Sequence, residues 1–417
     1  MSDTASPGAL TGIRVADFSR VLAGPYATMM LADFGADVIK IESPDGDDTR
    51  AWRPPVDANG QSTYFGAVNR NKRSVVCDLR TPDGLARARA IAGTADVVVE
   101  NFRPGVMERY GLDAASLQAA NPGLVYCSIS GFGREQGATL AGYDLLVQAV
   151  GGLMSITGHP DTAPTKVGVA VVDVLTGLNA LSGILLALRE RDRTGLGQRV
   201  DVDLLTSLLA GLTNQASSTL ATGIAPQRLG NAHPSIAPYE VFEASDRELV
   251  VAVGNDRQFR SFATILEMPE LGDDHRFATN ESRVAHRAEL RAAINDALAV
   301  GTAAHWVSAC AATGVPAGLV NSVAEAFDFA ASLGLDAVAQ VSDEATGRTQ
   351  VQPANPIHLS SGAARYERVA PTLGEHDDAV WLDEAGRASA PARASASASA
   401  SASAAMSTAD SSDRATP

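Results

Sequence analysis

Short, almost uninterrupted apolar runs alternate with helix-type segments through the first 150 residues, and this alternation constrains the fold more than any other feature. The runs lie at 13–18, 36–42, 74–79, 96–100 and 124–129. Strands that are apolar on both faces are typical of a parallel sheet covered by helices on both sides. The sequence therefore predicts an α/β fold with a Rossmann-like large domain.

Changes in composition divide the rest of the chain. We predict that the large domain spans 1–222, since 142–191 is mostly helical and RVDVDLL leads into a further helix. A Pro/Gly/Asn-rich linker opens a smaller α+β domain at 223–332, with a hairpin followed by helices near 256–267, 283–298 and 302–313. Strand signals return in 333–386, which we assign back to the large domain. The Ala/Ser-rich tail 387–417 is predicted to be disordered, because such a composition cannot bury a core.

Composition excludes several partners and sites. The net charge of -15 argues against nucleic acid, whose phosphates need a basic surface. No uninterrupted run of roughly 18 apolar residues predicts a membrane span. The amino-terminal segment lacks the features of a secretory signal, and three widely spaced cysteines suggest neither a disulfide framework nor a metal site. The seven histidines form no ligand pair either. We therefore expect a cytoplasmic protein without a bound metal.

Two further features are informative. The turn after the first strand, 19–25, lacks the early glycines that let a backbone approach a pyrophosphate, so NAD binding is disfavoured. Lysine occurs only at Lys40, Lys72 and Lys166. We interpret this scarcity as a codon-usage bias towards arginine.

The apolar helical segment that follows residue 170 carries one carboxylate at its beginning, Asp173. Small residues at Gly177, Ala180 and Gly183 would let this helix pack closely. Asp173 could be a helix N-cap, a position where aspartate is favoured. Alternatively, the helix N-terminus could keep it ionised in an apolar cleft, ready to attack an acyl carbon. The segment alone leaves both interpretations open.

An ordered set of motifs resembles the class III CoA-transferases, a family that holds formyl-CoA, carnitine and dicarboxylate CoA-transferases. The resemblance covers nearly the whole chain except the tail. Its motifs are VLAGPYATMMLADFGADVIKIE, NRNKRS, DLRTPDG, VENFRPG, SISGFG, GYDLLVQAVGGLMSITG, the Asp173 segment, RLGNAHPSIAPYEVF, GVPAGLV and APTLGEH.

The resemblance implies that Asp173 is the nucleophile of an EC 2.8.3-type transferase. It would attack a donor acyl-CoA to form a mixed anhydride, and CoA would then attack the aspartyl carbonyl to form a thioester. An incoming carboxylic acid would reverse these steps. Coenzyme A thioesters would be substrates, and no permanently bound cofactor would be needed.

The resemblance also implies CoA contacts. The arginines among them would hold phosphates and Phe102 would stack on adenine. Two departures from the family pattern, Ala141 and Ser43, leave the details of the phosphate clamp open. The implied CoA-binding residues are Val21, Leu22, Ala23, Cys77, Arg80, Asn101, Phe102, Arg103, Arg109 and Tyr143.

Two rival functions remain at this point. An α-methylacyl-CoA racemase needs two bases, and the racemase relatives carry a histidine where this chain has Tyr143. A phenol with a pKa near 10 is a poor substitute. A non-catalytic CoA-binding protein would have no need for Asp173.

The resemblance further implies an interlocked homodimer whose subunits pass through linkers near 205–235 and 325–345. The substrates would be an acyl-CoA and small carboxylic acids. Because 228–238 lacks the glycine-rich loop of the formyl and oxalyl enzymes, we favour a larger dicarboxylate, such as succinate, glutarate or a methylated C5 acid, over oxalate.

Overall fold

A computed structural model of the protein describes residues 8–379 and 381–382. Residues up to 379 belong to one compact unit, and everything below concerns that unit. The predicted disordered tail, 387–417, lies outside the described residues.

Eleven strands and fifteen α-helices occur in the described residues. The strands are β1 (Arg14–Asp17), β2 (Asp37–Glu42), β3 (Lys72–Val76), β4 (Val97–Glu100), β5 (Val125–Ser130), β6 (Arg199–Asp203), β7 (Tyr239–Glu243), β8 (Glu248–Ala252), β9 (Ala317–Leu319), β10 (Val338–Ser342) and β11 (Thr349–Pro353). The helices are α1 (Ala23–Asp33), α2 (Thr63–Gly66), α3 (Pro82–Gly93), α4 (Val106–Arg109), α5 (Ala114–Ala120), α6 (Asp144–Val150), α7 (Leu153–Ile156), α8 (Val171–Thr194), α9 (Leu204–Gly211), α10 (Thr213–Thr222), α11 (Asp256–Ile265), α12 (Asn280–Ala285), α13 (Arg287–Leu298), α14 (Ala303–Thr313) and α15 (Val323–Ser332).

The first six strands form one parallel sheet in the order β3-β2-β1-β4-β5-β6. This confirms the predicted α/β fold. The strand order reverses between β1 and β4, which lie side by side at the centre. In open parallel sheets a ligand binds beyond the carboxyl ends of the strands at such a reversal. The topology therefore predicts a ligand-binding site at the turns that follow β1 and β4.

Helix α8 packs against α1, α9 and the strands β5 and β6. Its small residues make this close packing possible: a Cβ added to Gly177 would lie 2.7 Å from the carbonyl oxygen of Ala23. By length and apolar composition α8 is the one helix of the described chain that could cross a membrane. A core helix of a globular protein passes the same test, so the absence of a membrane span stays a prediction.

A second hydrophobic core forms around the antiparallel sheet β7-β8-β9 and the helices α11, α13 and α14. Its largest members include Phe242, Phe259, Phe262 and Trp306. It lies in the stretch where the sequence predicts a smaller α+β domain. The hairpin of β10 and β11 contacts α2, where the Gln352 side chain donates a hydrogen bond to the carbonyl of Gly66 at 2.6 Å. The domain boundaries drawn from the sequence remain predictions.

Candidate active site

A cleft of about 240 Å³ opens at the carboxyl ends of β1, β4 and β5 and reaches the N-terminus of α8. Its walls come mainly from the segments that follow these three strands, together with Asp48, Asp173 and Leu204. Eight of the residues predicted for the site line it together: Val21, Leu22, Ala23, Asn101, Phe102, Arg103, Tyr143 and Asp173. The cleft thus lies where the reversal of strand order indicates.

Asp173 is the third residue of α8, and the helix N-cap is Ala170. The N-cap interpretation of Asp173 is therefore wrong. In the described residues the Asp173 carboxylate accepts no hydrogen bond and has no ion pair. Burial, with the neighbouring Asp144 as a smaller cause, raises the pKa of Asp173 to about 7. Burial therefore acts against the expectation that the helix N-terminus keeps this carboxyl ionised.

Asp144, the first residue of α6, was not singled out from the sequence. Its Oδ1 accepts the amide of Val172 at 2.8 Å and that of Asp173 at 3.4 Å. Its Oδ2 accepts the Gln148 side-chain amide at 2.6 Å, and Gln148 in turn accepts the amide of Val167. Asp144 therefore caps α8 from a neighbouring helix. An aspartate at the start of a helix is so common that no specific sequence signal marks this role.

The turn after β1 is held from two sides. Its residue Val21 has a positive φ of 68°, a conformation that is strained for a β-branched side chain. Asn101, which follows β4, accepts the amide of Arg20 at 2.8 Å and donates to the Arg20 carbonyl at 2.7 Å. Asp47 accepts the amide of Val21 at 3.2 Å. These bonds fix the turn without the glycines that a dinucleotide-binding turn uses.

A fully buried ion cluster lies beneath this turn. Lys40 pairs with Asp47 at 2.9 Å, and Lys72 pairs with Asp17 at 3.0 Å. Lys40 also donates to the carbonyl of Ser19 at 2.9 Å. Although burial alone would raise it, Lys40 holds the pKa of Asp47 at about 2. Two of the three lysines in the chain therefore stabilise the segment that leads into the turn after β1, a role that composition could not reveal.

The floor of the cleft is made of touching backbone. Gly131 and Gly142 cross so closely that a Cβ added to Gly131 would lie 2.5 Å from the Cα of Gly142. No other residue type fits at such a distance without moving one of the two loops. This contact explains the glycines of the SISGFG and GYDLL motifs.

Charged and aromatic groups line the outer part of the cleft. The Arg20 guanidinium lies 5.2 Å from the centre of the Phe102 ring and 3.4 Å from the carboxylate of Asp48. Arg103 is exposed on the same wall. Guanidinium groups suit phosphates, and an aromatic face suits a purine.

Three predicted CoA-binding residues do not line the cleft. Cys77 is buried, and burial raises the pKa of its thiol to about 11. Arg80 pairs with Asp78 at 2.8 Å while its side chain is 70% exposed. Arg109 ends α4 at the surface. Their roles in binding CoA stay predictions.

Tyr64, on α2, is a further residue that sequence reasoning missed. It is half-buried, and its ring meets that of Trp52 edge-on at 5.0 Å. Burial, with Asp173 and Asp144 as further causes, raises the pKa of Tyr64 to about 12. Its phenol therefore stays a neutral hydrogen-bond donor near Asp173. In the described residues no group of three or more His, Cys, Asp and Glu side chains could hold a metal ion.

The sequence matches known CoA-transferases. The family model described as CoA-transferase family III matches residues 10–377. The succinate–glutarate CoA-transferase of Agrobacterium fabrum is 48% identical over 396 residues, covering 92% of this chain and 98% of its own. The acetyl-CoA:oxalate CoA-transferase of Acetobacter aceti is 41% identical over 377 residues, covering 89% and 95%.

The structure of a CAIB/BAIF family protein from Brucella suis superposes with a TM-score of 0.80 at 43% identity, covering 89% of this chain and 98% of the other. The resemblance inferred from the motifs is thereby confirmed, and with it the prediction of a transferase. The chain belongs to CoA-transferase family III.

Proposed function

We propose that this protein transfers coenzyme A from a donor acyl-CoA to a small dicarboxylic acid, with Asp173 as the covalent nucleophile. The observation that carries the proposal is a carboxylate without a partner at the start of α8, facing a cleft of the right chemistry for CoA. Succinate and glutarate are the acids we favour, since a relative named for them is 48% identical.

The reaction proceeds through two pairs of exchanges that conserve the energy of the thioester. The Asp173 carboxylate attacks the thioester carbon, the carbon–sulfur bond breaks, and CoA leaves as the thiolate while a mixed anhydride of Asp173 and the donor acid forms. The thiolate attacks the aspartyl carbonyl carbon, releasing the donor acid and forming an aspartyl thioester. The acceptor carboxylate then attacks this thioester, expelling the thiolate. The thiolate finally attacks the acyl carbon of the new anhydride, which frees Asp173.

Water must be excluded while the anhydride and thioester exist, because both hydrolyse. Leu22, Ala23 and Leu204 give the cleft an apolar wall. The raised pKa of Asp173 also matters, since a more basic carboxylate is a better nucleophile once ionised. Attack requires the ionised form, so the first step should accelerate as the pH rises through about 7.

The rival functions fit the cleft less well. Racemisation needs a second base, and no histidine lies among the residues that line the cleft. Tyr143 occupies that position with its side chain 59% exposed. A protein that only bound CoA would gain nothing from a half-buried carboxylate without a partner, because such a group opposes folding.

Two further proposals concern the location and the assembly of the protein. We propose that it is cytoplasmic, consistent with its three free, buried cysteines. We also propose an interlocked homodimer. Many large apolar side chains on α6, α8, α9, α10 and α15 are exposed in the single chain, which suits coverage by a second copy.

An exchange assay tests the proposed function. Protein is given succinyl-CoA with a pool of glutarate, oxalate and methylated C5 acids, and new acyl-CoA masses are read by mass spectrometry. We expect glutaryl-CoA from the unaltered protein and from Asp113→Asn, a matched change at the N-cap of α5. Asp173→Asn should form none. Deuterium entering the α-carbon of a 2-methylacyl-CoA, without transfer, would replace our proposal with the racemase.

A further inference from the structure

The start of α8 is capped by a residue that belongs to another helix. A helix leaves its first amides without partners inside the helix, and a side chain in its own N-cap residue normally accepts them. Ala170, the N-cap of α8, has no side-chain acceptor. Asp144 accepts the second amide of the helix at 2.8 Å and approaches the third at 3.4 Å. The N-terminus of α8 is thus satisfied without any contribution from Asp173.

Asp144 is itself held in place by a buried side chain. Gln148 lies one turn further along α6 and is wholly buried. It donates to Asp144 at 2.6 Å and accepts the amide of Val167 at 2.9 Å. Val167 belongs to the loop that leads into α8. The pair of Asp144 and Gln148 therefore fixes both that loop and the first turn of α8 relative to α6.

Asp144 also places a second negative charge beside Asp173. Like charges at short range disfavour ionisation. Asp144 is the charged group whose field adds to the effect of burial on the pKa of Asp173. Nearby, α2 contributes Tyr64, α1 contributes Tyr26, and α7 and α9 contribute no titratable side chain. The remaining titratable groups that line the cleft are Arg20, Asp48, Arg103 and Tyr143.

We propose that Asp144 is a positioning residue for Asp173, an inference that rests on the proposed function. It occupies the amides at the start of α8 so that the Asp173 carboxyl stays free to reach the acyl carbon. Its charge also sets the pH range over which that carboxyl reacts. The two roles use the same oxygen atoms, and different substitutions separate them.

Asp144→Asn separates the charge from the cap. The asparagine oxygen can still accept the amide of Val172, and asparagine is about as good a helix cap as aspartate. The negative charge is gone, so the pKa of Asp173 should fall. The rate of acyl transfer should rise with pH as Asp173 ionises, and we call this part of the pH–rate profile the acidic limb. We expect the acidic limb to move to lower pH. The rate at pH 6, relative to the rate at pH 8, should rise about three- to fivefold.

Asp144→Glu tests the other role. It keeps the charge but moves the carboxylate by one methylene, so it can no longer accept the same amides in place. We expect the limb to remain near its original pH while kcat falls about tenfold or more, since a displacement of about 1 Å at a reacting group has a large effect. Asp113→Asn, which alters a helix cap outside the cleft, should leave both the limb and kcat unchanged.

Two measurements are made on the whole chain from pH 5.5 to 9: kcat of acyl transfer at steady state, and single-turnover formation of the covalent adduct on Asp173, followed by intact-protein mass spectrometry. Absence of the adduct from the unaltered protein at every pH would refute the proposed function itself. An adduct in the unaltered protein together with an unmoved limb in Asp144→Asn would overturn the charge role. An unchanged kcat in Asp144→Glu would overturn the positioning role, even if Asp144→Asn failed to fold.

Discussion

At the scale of single residues, the buried carboxylates of the large domain differ in their partners. Asp17 and Asp47 each pair with a buried lysine, and Asp33 accepts a bidentate pair of bonds from Arg70 at 2.7 and 2.9 Å. Burying a carboxylate without such a partner is costly. Asp173 has none in the part of the chain that the structure describes. The protein thus keeps one unfavourable group where its proposed chemistry needs it.

A stability measurement should detect this cost. The folded-state pKa of Asp173 is about 7, above the 3.8 of a free aspartate. The folded state therefore holds the proton more tightly, and stability falls as the pH rises from about 4 to 7. Asp173→Asn removes this effect. We expect it to raise the free energy of unfolding at pH 8 by about 1–3 kcal/mol, from the pKa difference reduced for partial solvent access.

Urea unfolding at pH 8 and pH 5 checks this prediction, since the gain should shrink at the lower pH. Asp113→Asn, a substitution at a helix cap outside the cleft, should give no such difference between the two pH values. Equal or lower stability of Asp173→Asn at pH 8 would mean that the carboxylate has a stabilising partner after all.

At the scale of secondary structure, sequence patterns predicted the central strands well and the edges less well. The runs that became β1, β2, β4 and β5 are apolar because helices cover both of their faces. Strand β6 was missed, since its sequence RVDVD alternates charge with valine. It forms the edge of the sheet and is only partly buried, which explains why charges are tolerated there.

In β3 the observed boundaries differ from the predicted ones. The apolar run predicted 74–79, whereas the strand is Lys72–Val76. Lys72 and Arg73 resemble the residues of a loop, yet both are buried and pair with Asp17 and Asp37. Sequence rules place such residues at the surface, because the partners that make burial tolerable lie far away along the chain.

In the smaller α+β region, one buried arginine connects several elements. Arg283, on α12, is fully buried and donates to the carbonyls of Ala237 and Phe277 at 2.6 and 2.9 Å. It also pairs with Asp256 of α11 at 2.8 Å. Removing it leaves these acceptors without a donor, which typically costs about 3 kcal/mol.

We therefore expect Arg283→Met to lower the free energy of unfolding by about 3 kcal/mol, measured by chemical denaturation. Arg193→Met is the matched control: Arg193 pairs with Glu190 on the surface, with its side chain 71% exposed, so its loss should change stability by less than about 1 kcal/mol. A similar small effect for both variants would show that Arg283 is not needed to hold these elements together.

At the scale of the whole molecule, the sequence predicted the family and eight residues of the cleft, but not the network that supports it. Six of the eight follow β1 and β4, which lie side by side in the sheet, and Tyr143 and Asp173 come from the N-termini of α6 and α8. Asp144 and Gln148 are joined to the start of α8 by contacts that only the fold brings about. No local spacing in the sequence marks such contacts.

The single chain also exposes more apolar surface than a monomer would be expected to keep. Leu186 on α8 is 71% exposed, Leu220 on α10 is 88% exposed and Phe329 on α15 is 57% exposed. If a second copy covers these elements, the protein should sediment at about twice its chain mass of 43.1 kDa. An interlocked pair should also remain a dimer on dilution to nanomolar concentration, because its chains cannot separate without unfolding.

A substitution at this surface tests the same prediction. Leu220→Glu should reduce the yield of dimer after refolding, since a carboxylate would have to be buried without a partner. Val300→Glu is the matched control, because Val300 is 84% exposed and lies just after α13, which is not one of the elements proposed to be covered. Analytical ultracentrifugation of both refolded variants separates the cases. If the unaltered chain sediments as a monomer at micromolar concentration, the homodimer is refuted. If it forms a dimer that dissociates on dilution, only the interlocking is refuted.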